Sequence, residues 1–173
     1  MSPTRARAVH FFLALVVILL DRWSKRVIAS RIALYAHIQV IPGFFRLTHT
    51  ENTGAAFSLF ADSPSQWKTA MLIGFSLVAM VIVTGLLWKQ TRPFTAASIA
   101  LSLILGGAVG NLWDRLASGR VVDFLLFYVK QYQWPVFNLA DSAIVIGAGL
   151  LVLEIMFGKS PRQDDRTKTD VLQ

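Results

Sequence analysis

The segment AMLIGFSLVAMVIVTGLLW, residues 70–88, decides the fold class because it carries no charged side chain over its whole length. A helix needs about 20 largely apolar residues to cross the hydrocarbon core of a bilayer. Two later stretches, residues 94–112 and 139–157, are comparably apolar. Of all 173 residues, 54% are hydrophobic and only 16% are charged, against roughly 25% charged residues in soluble domains. This composition excludes a soluble globular protein and predicts membrane-spanning helices.

A shorter apolar stretch, residues 8–20, precedes these segments and by itself resembles the hydrophobic region of a signal peptide. However, the charged sequence DRWSK, residues 21–25, follows it in place of a small-residue cleavage site, and apolar residues recur at helical spacing to about residue 29. We therefore predict an uncleaved first span. The predicted single membrane-embedded domain covers residues 1–159, with spans at about 8–29, 69–88, 94–114 and 138–158, and a disordered cytoplasmic tail at 160–173.

Basic residues in the short segments predict the orientation of the four spans. Arg5 and Arg7 precede the first span, the turn at residues 89–92 is basic, and so is the tail. Because short loops rich in Lys and Arg stay in the cytoplasm, we expect both termini there. The longer connections, residues 30–68 and 115–137, are then periplasmic.

The fold class is therefore an all-α integral membrane protein with a small amount of outer β structure. Between helices 1 and 2, apolar and polar residues alternate over residues 37–41 and 44–49, separated by Pro42 and Gly43. This pattern predicts a strand pair with a turn, in a small sheet resting on the membrane surface. Between helices 3 and 4, we expect a periplasmic segment that begins as a helical continuation.

Several classes of site and partner are excluded by composition. The chain has no cysteine, so it has no disulfide and no thiolate metal site. Its three histidines, His10, His37 and His49, are scattered, and no metal-binding motif occurs. The net charge is +7, but the basic residues lie at the ends of apolar runs. That placement favours membrane lipids over nucleic acid as partners, and we expect no metal and no cofactor.

Carboxylate chemistry remains, and Asp123 and Asp141 are its best candidates. Asp123 follows the third span and Asp141 opens the fourth, so both belong at the outer surface. Two close carboxylates share a proton: the charged one can activate water and the neutral one can protonate a carbonyl oxygen or leaving amine. Alternatively, Asp141 forms a helix-start capping box with Asn138. The catalytic and the capping interpretations of Asp141 are compatible, since the helix dipole would favour an ionised Asp141 and leave Asp123 protonated.

Two further groups of polar residues fall on helical faces. Asn111, Asp114 and Arg115 share one face of the third span; the alternative to a functional role is an interfacial ion pair between Asp114 and Arg115. Asp21 and Lys25 have the spacing of an intrahelical ion pair. Because an unpaired carboxylate below the interface costs roughly 3 kcal/mol, we expect Asp21 to face the helix bundle.

Glycine and asparagine positions allow both structural and functional interpretations. Asn52 and Gly54 have the composition of a turn, although their amide and backbone groups could also hold an extended peptide. Gly106 and Gly110, four residues apart in the third span, predict close helix packing and not a phosphate loop.

Together these patterns resemble lipoprotein signal peptidase, also called signal peptidase II, a bacterial family of aspartic membrane proteases. The resemblance rests on DRWSK at residues 21–25, ENTGAAF at 51–57, residues 107–115 with Asp123 eight residues on, and FNLAD at 137–141. It implies Asp123 and Asp141 as the catalytic pair. The substrate-binding positions it implies are Asp21, Lys25, Asn52, Gly54, Asn111, Arg115 and Asn138.

The resemblance also implies an activity and its surroundings. The expected reaction cleaves a diacylglyceryl-modified prolipoprotein on the N-terminal side of its lipidated cysteine, in the bacterial inner membrane. Inhibition by the cyclic peptide globomycin is expected, and so is a monomer.

Two other classes of protein compete with this interpretation. A small proton-coupled transporter would use intramembrane acids, but no carboxylate lies near the middle of a span and no inverted repeat is present. A non-catalytic membrane scaffold would use the glycines and aromatic residues for helix association and partner binding. Cleavage activity that depends on Asp123 separates the protease from both.

Overall fold

The computed structural model describes residues 2–54 and 65–157. Its helices are α1 (Pro3–Arg31), α2 (Ser65–Lys89), α3 (Ala96–Ser118) and α4 (Leu139–Phe157), and its strands are β1 (His37–Ile41), β2 (Phe45–Asn52), β3 (Val121–Val129) and β4 (Tyr132–Gln133). All four helices are long and apolar enough to cross a membrane, which confirms the predicted fold class in this respect. The predicted tail, and residues 55–57 of the ENTGAAF motif, lie outside the described residues.

Helix α3 is the centre of the bundle, since it packs against α1, α2 and α4. Its glycines allow this contact. A Cβ at Gly106 would collide with the carbonyl oxygen of Ala14 on α1, and a Cβ at Gly110 with the side chain of Asp21. The predicted close packing at these two glycines is confirmed.

The apolar surfaces of α2 and α4 face away from the bundle. Val81 of α2 is 74% exposed and Ile155 of α4 is 82% exposed. Large apolar side chains in such numbers are unfavourable in water, and a lipid phase would cover them. The exposed faces therefore fit a multi-pass membrane protein.

The strands form one antiparallel sheet at one end of the bundle, in the order β1-β2-β3-β4. The predicted strand pair is confirmed as β1 and β2, with His37 paired with Thr48. Strand β3 was not predicted: α3 ends at Ser118, Gly119 takes the left-handed conformation with φ +70°, and the chain then pairs with β2. The sheet thus joins the two long connections, and Phe124 packs it onto Ile28 and Ile32 near the end of α1.

Candidate active site

A cavity of about 640 Å³ lies where the sheet meets α3 and α4. We call it the carboxylate cavity, because both predicted catalytic carboxylates line it. Four of the predicted substrate-binding residues line it as well. The six lining residues that concern the chemistry are Asn52, Gly54, Asn111, Arg115, Asp123 and Asp141.

Asp123 lies within β3, where it pairs in register with Thr50 of β2. Its side chain is buried and both carboxylate oxygens accept amide hydrogen bonds. The Nδ2 of Asn52 donates to Oδ2 at 3.0 Å, and the Nδ2 of Asn138 donates to Oδ1 at 2.6 Å. The backbone N–H of Gly54 donates to the Oδ1 of Asn52 at 2.8 Å. This bond orients the Asn52 amide with its donor toward Asp123.

Burial raises the pKa of Asp123 to about 6. The negative charge of Asp141 also contributes to this rise, whereas the hydrogen bonds from Asn52 and Asn138 and the charge of Lys25 reduce it. Desolvation of the charged form is thus the largest effect. Asp123 accordingly keeps its proton to a higher pH than an exposed carboxyl group does, in the direction that the sequence predicted.

Asp141 lies in the first turn of α4 and forms the predicted capping box. Its backbone N–H donates to the Oδ1 of Asn138 at 2.9 Å, and its Oδ2 accepts the backbone N–H of Asn138 at 3.2 Å. In addition, its Oδ1 accepts the Nδ2 of Asn111 at 2.7 Å. Asp141 is therefore both a helix-start residue and part of the cavity wall.

Backbone bonds at Phe137 bring the two carboxylates together from distant parts of the chain. The N–H groups of Phe124 and Leu125 donate to the carbonyl oxygen of Phe137 at 3.0 and 2.8 Å. The N–H of Phe137 returns a bond to the carbonyl oxygen of Leu125 at 3.2 Å. The start of α4 is thereby held beside β3, which puts Asn138 within hydrogen-bond distance of Asp123.

Behind the cavity lies a group of four charged residues, which we call the inner charge cluster: Asp21, Arg22, Lys25 and Asp114. The Nζ of Lys25 is 2.7 Å from Asp21 Oδ2 and 2.7 Å from Asp114 Oδ2, and Arg22 pairs with Asp114 Oδ1. The ion pair between Asp21 and Lys25 and its orientation into the bundle are confirmed. The alternative pairing of Asp114 with Arg115 is wrong, because both cations of Asp114 come from α1.

Three of the predicted substrate-binding residues occupy this second layer. Asp21 is fully buried, Asn138 is fully buried and Lys25 is 3% exposed. In the part of the chain that the structure describes, none of the three lines the carboxylate cavity. Two of them bond directly to residues that do: Asn138 Nδ2 donates to Asp123 Oδ1 at 2.6 Å, and Lys25 Nζ donates to Asn111 Oδ1 at 3.0 Å. The Oδ1 of Asp21 accepts the N–H of Ala140, the residue before Asp141, at 3.0 Å.

Arg115 supplies positive charge to the cavity wall. One guanidinium nitrogen donates to the carbonyl oxygen of Asn111 at 3.3 Å. Its buried Nε has no hydrogen-bond partner within the described ranges. Arg115 lines the same cavity as Asp123 and Asp141, so the wall that carries the two carboxylates also carries a positive charge.

Some of the site was not predicted from the sequence. The hydroxyl of Thr50 donates to the carbonyl oxygen of Asp123 at 3.0 Å, and Trp134 and Phe137 form an aromatic part of the cavity wall. The Trp134-Pro135 break before α4 was a usable signal for the aromatic wall. Nothing local indicates Thr50. Within residues 2–54 and 65–157, no group of three or more His, Asp or Glu side chains is arranged to hold a metal ion.

Comparisons with known proteins agree with these features. The family model described as "Signal peptidase (SPase) II" matches residues 13–157. The "Lipoprotein signal peptidase" of Desulforapulum autotrophicum is 44% identical over 159 residues, which cover 91% of this chain and 98% of the relative. The protein of the same name from Solibacter usitatus is 41% identical over 143 residues, covering 83% and 87%. A solved structure described as a bacterial membrane enzyme has a TM-score of 0.78 at 27% identity, covering 93% of this chain and 95% of that one.

Proposed function

The chain belongs to the signal peptidase II family, and we propose that it is an aspartic endopeptidase with Asp123 and Asp141 as its catalytic pair. Its proposed substrate is a diacylglyceryl-modified prolipoprotein, cut on the N-terminal side of the lipidated cysteine. The observation that carries the proposal is one cavity holding two carboxylates in different surroundings. Asp123 has a pKa raised to about 6, and Asp141 lies at a helix N-terminus.

The proposed reaction uses the two carboxylates in opposite protonation states. Asp141, which accepts two N–H donors at the N-terminus of α4, acts as the base and takes a proton from water. The water oxygen bonds to the scissile carbonyl carbon while Asp123 gives its proton to the carbonyl oxygen, forming a tetrahedral diol. Asp141 then protonates the cysteine nitrogen, the C–N bond breaks, and Asp123 recovers a proton from the diol. Both carboxylates return to their starting states.

Substrate binding is assigned to the remaining cavity residues. Asn52, Gly54 and Arg115 are proposed to hold the extended chain around the scissile bond through amide, backbone and guanidinium groups. Leu72 of α2 and Val145 of α4 form an apolar part of the same wall. They continue into the exposed apolar helix faces, where the two acyl chains are proposed to lie in contact with membrane lipid. Asp21, Lys25 and Asn138 support these groups from behind.

The cellular setting is proposed from the family and the charge distribution. The protein is a multi-pass membrane protein; we place it as a monomer in the bacterial inner membrane, with both termini cytoplasmic and the carboxylate cavity near the periplasmic face. A globomycin-type cyclic peptide is expected to inhibit it. Because the chain has no cysteine, single cysteines introduced at Gln39 and at Gln90 can report orientation. A membrane-impermeant thiol reagent applied to intact spheroplasts should label only the first.

The decisive experiment is cleavage of a purified diacylglyceryl prolipoprotein by the purified protein in lipid. Asp123→Asn and Asp141→Asn should each lower kcat by about 10² to 10⁴-fold, because each removes one half of the acid–base pair. Thermal stability is recorded for every variant. Glu154→Gln is the matched control: it removes one negative charge from α4 at an exposed position, and it should cut at the wild-type rate.

The outcomes separate the competing functions. Normal cleavage by either folded aspartate variant would show that the pair is structural. A wild-type protein that binds lipidated prolipoprotein without cutting it would indicate a scaffold. Ion flux through proteoliposomes that Asp123→Asn abolishes would favour a transporter.

A further inference from the structure

We propose that Lys25 is a positioning residue for the reaction: its ammonium group fixes the side-chain amide of Asn111, so that Nδ2 donates to Asp141. The inference rests on the proposed function and deepens it. It also changes the role expected for Lys25, because a residue that is 3% exposed and lies behind the cavity wall does not contact substrate.

The two ends of the Asn111 side-chain amide contact different groups. Its Oδ1 is 3.0 Å from the Nζ of Lys25, and its Nδ2 is 2.7 Å from Asp141 Oδ1. A side-chain amide can rotate to exchange oxygen and nitrogen, but an ammonium group only donates hydrogen bonds. The atom facing Lys25 must therefore be the oxygen, and the donor must face Asp141.

The other two amides at the carboxylate pair are oriented by backbone groups. The N–H of Gly54 orients Asn52 at 2.8 Å, and the N–H of Asp141 orients Asn138 at 2.9 Å. No side-chain substitution elsewhere removes these donors. Asn111 differs, because its strongest orienting contact comes from a side chain on another helix, and the contact from Asn138 Nδ2 to its Oδ1 is longer at 3.3 Å.

The inner charge cluster holds the Lys25 ammonium in place. Besides Asn111, its Nζ is within 2.7 Å of Asp21 Oδ2 and within 2.7 Å of Asp114 Oδ2. Lys25 Nζ donates hydrogen bonds to Asp21 Oδ2 and to Asn111 Oδ1, and the charge of Asp114 attracts it without a hydrogen bond. Lys25 thus has a fixed direction toward Asn111, which explains why a charged group at this depth is retained without contacting substrate.

Removing the ammonium should affect catalysis more than binding. In Lys25→Met the Asn111 amide is free to turn its oxygen toward Asp141, and the base loses one of its two N–H donors. An Asn111 oxygen turned toward Asp141 would repel the carboxylate from its reacting position, and a displacement of about 1 Å at a reacting group can cost about 10²-fold in rate. Since Asn138 still orients Asn111 weakly, we expect a fall of about tenfold to a hundredfold, with KM within about twofold of wild type.

A double-mutant cycle tests whether Lys25 acts through Asn111. The kcat for a diacylglyceryl prolipoprotein is measured in lipid for wild type, Lys25→Met, Asn111→Leu and the double variant. If Lys25 acts only by orienting Asn111, the double variant loses no more kcat than Asn111→Leu alone. Losses that multiply would show independent effects and overturn the inference.

Two controls keep the test interpretable if Lys25→Met folds poorly. In the first control, Asp21→Asn is combined with Lys25→Met, which keeps the net charge of the inner charge cluster at zero and leaves Asp114 paired with Arg22. The double-mutant cycle of Lys25→Met and Asn111→Leu is then repeated with Asp21→Asn present in all four proteins. Arg22→Gln removes the other cation of the cluster, which is bonded to Asp114 and not to Asn111, so kcat should stay near the wild-type value. A fall in kcat with Arg22→Gln as large as with Lys25→Met would indicate a general structural role and reject the proposal.

The same measurements distinguish a failure of the proposed function from a failure of the role proposed for Lys25. An inactive wild type, or an active Asp141→Asn, would reject the function itself. An active wild type with an inactive Asp141→Asn and a fully active Lys25→Met would reject only the role of Lys25.

Discussion

The inner charge cluster and the carboxylate cavity each contain two aspartates, yet the partners of these aspartates differ. In the cluster, Asp21 and Asp114 are bonded to cations, Lys25 for both and Arg22 for the second. In the cavity, the donors to the carboxylates of Asp123 and Asp141 are neutral amides and a backbone N–H. An ion pair places a full positive charge beside the carboxylate, whereas an amide donor fixes the position of the carboxylate without adding a charge.

The difference in partners indicates that the inner charge cluster and the carboxylate cavity have different roles. The cluster fixes α1 against α3, and the cavity holds the two carboxylates for which we propose proton transfer. Lys25 connects the two regions, because its charge balances the aspartates of the inner charge cluster and its Nζ donates to Asn111 in the wall of the carboxylate cavity. Three predictions test whether the two regions differ in this way.

The largest effect is expected where a buried ion pair is broken. Asp114→Leu leaves Lys25 and Arg22 with one carboxylate between them, and breaking a buried pair typically costs about 3 to 5 kcal/mol. We expect a clear fall in the unfolding temperature in lipid. Asp114→Leu combined with Arg22→Leu should recover part of that loss, since it removes the unpaired cation. Equal unfolding temperatures for Asp114→Leu and wild type would contradict the assigned role of the cluster.

An intermediate effect concerns the pH dependence of cleavage. The pKa of Asp123 is raised to about 6, so the protonated acid is present below that pH. As pH rises above it, kcat/KM should fall about tenfold per pH unit, with an apparent pKa that belongs to the pair. Asn52→Ala removes a hydrogen bond that lowers the pKa of Asp123, so the alkaline limb should move to higher pH.

The measurement is a pH profile of kcat/KM for wild type and Asn52→Ala. If Asn52→Ala only weakens substrate binding, kcat/KM falls at every pH and the apparent pKa of the alkaline limb does not change. A change in that pKa therefore reports protonation and not binding. If the alkaline limb moves to lower pH in Asn52→Ala, the Asn52 amide does not stabilise the charged form of Asp123, and the prediction is wrong.

The smallest effect is expected at the rim of the sheet. Arg120 pairs with Glu51 at 2.5 Å, with the two side chains 51% and 26% exposed. Exposed ion pairs typically contribute less than about 1 kcal/mol, so Arg120→Gln should leave the unfolding temperature almost unchanged. Chemical denaturation of both proteins in the same lipid would measure the difference. A loss as large as that of Asp114→Leu would show that burial does not determine how much these two ion pairs contribute to stability.

Features that depend on neighbours along the chain were predictable from the sequence. Apolar length predicted the spanning helices, alternation predicted β1 and β2, and the spacing of Asn138 and Asp141 predicted the capping box. Strand β3 was not predicted because residues 121–129 are almost continuously apolar. Polar and apolar residues alternate too little there to distinguish a strand from a buried helix segment.

The arrangement of the candidate site depends instead on contacts between distant segments. Lys25 and Asn111 are 86 positions apart, and Asn52 and Asp123 are 71 positions apart. Hydrophobic periodicity reports only which face of an element is apolar, so it predicts no partner across the bundle. The close packing of α3, the pairing of β2 with β3 and the backbone bonds of Phe137 bring these residues together. Membrane insertion and helix location thus follow from local composition, whereas the amide and charge network around Asp123 and Asp141 exists only in the folded protein.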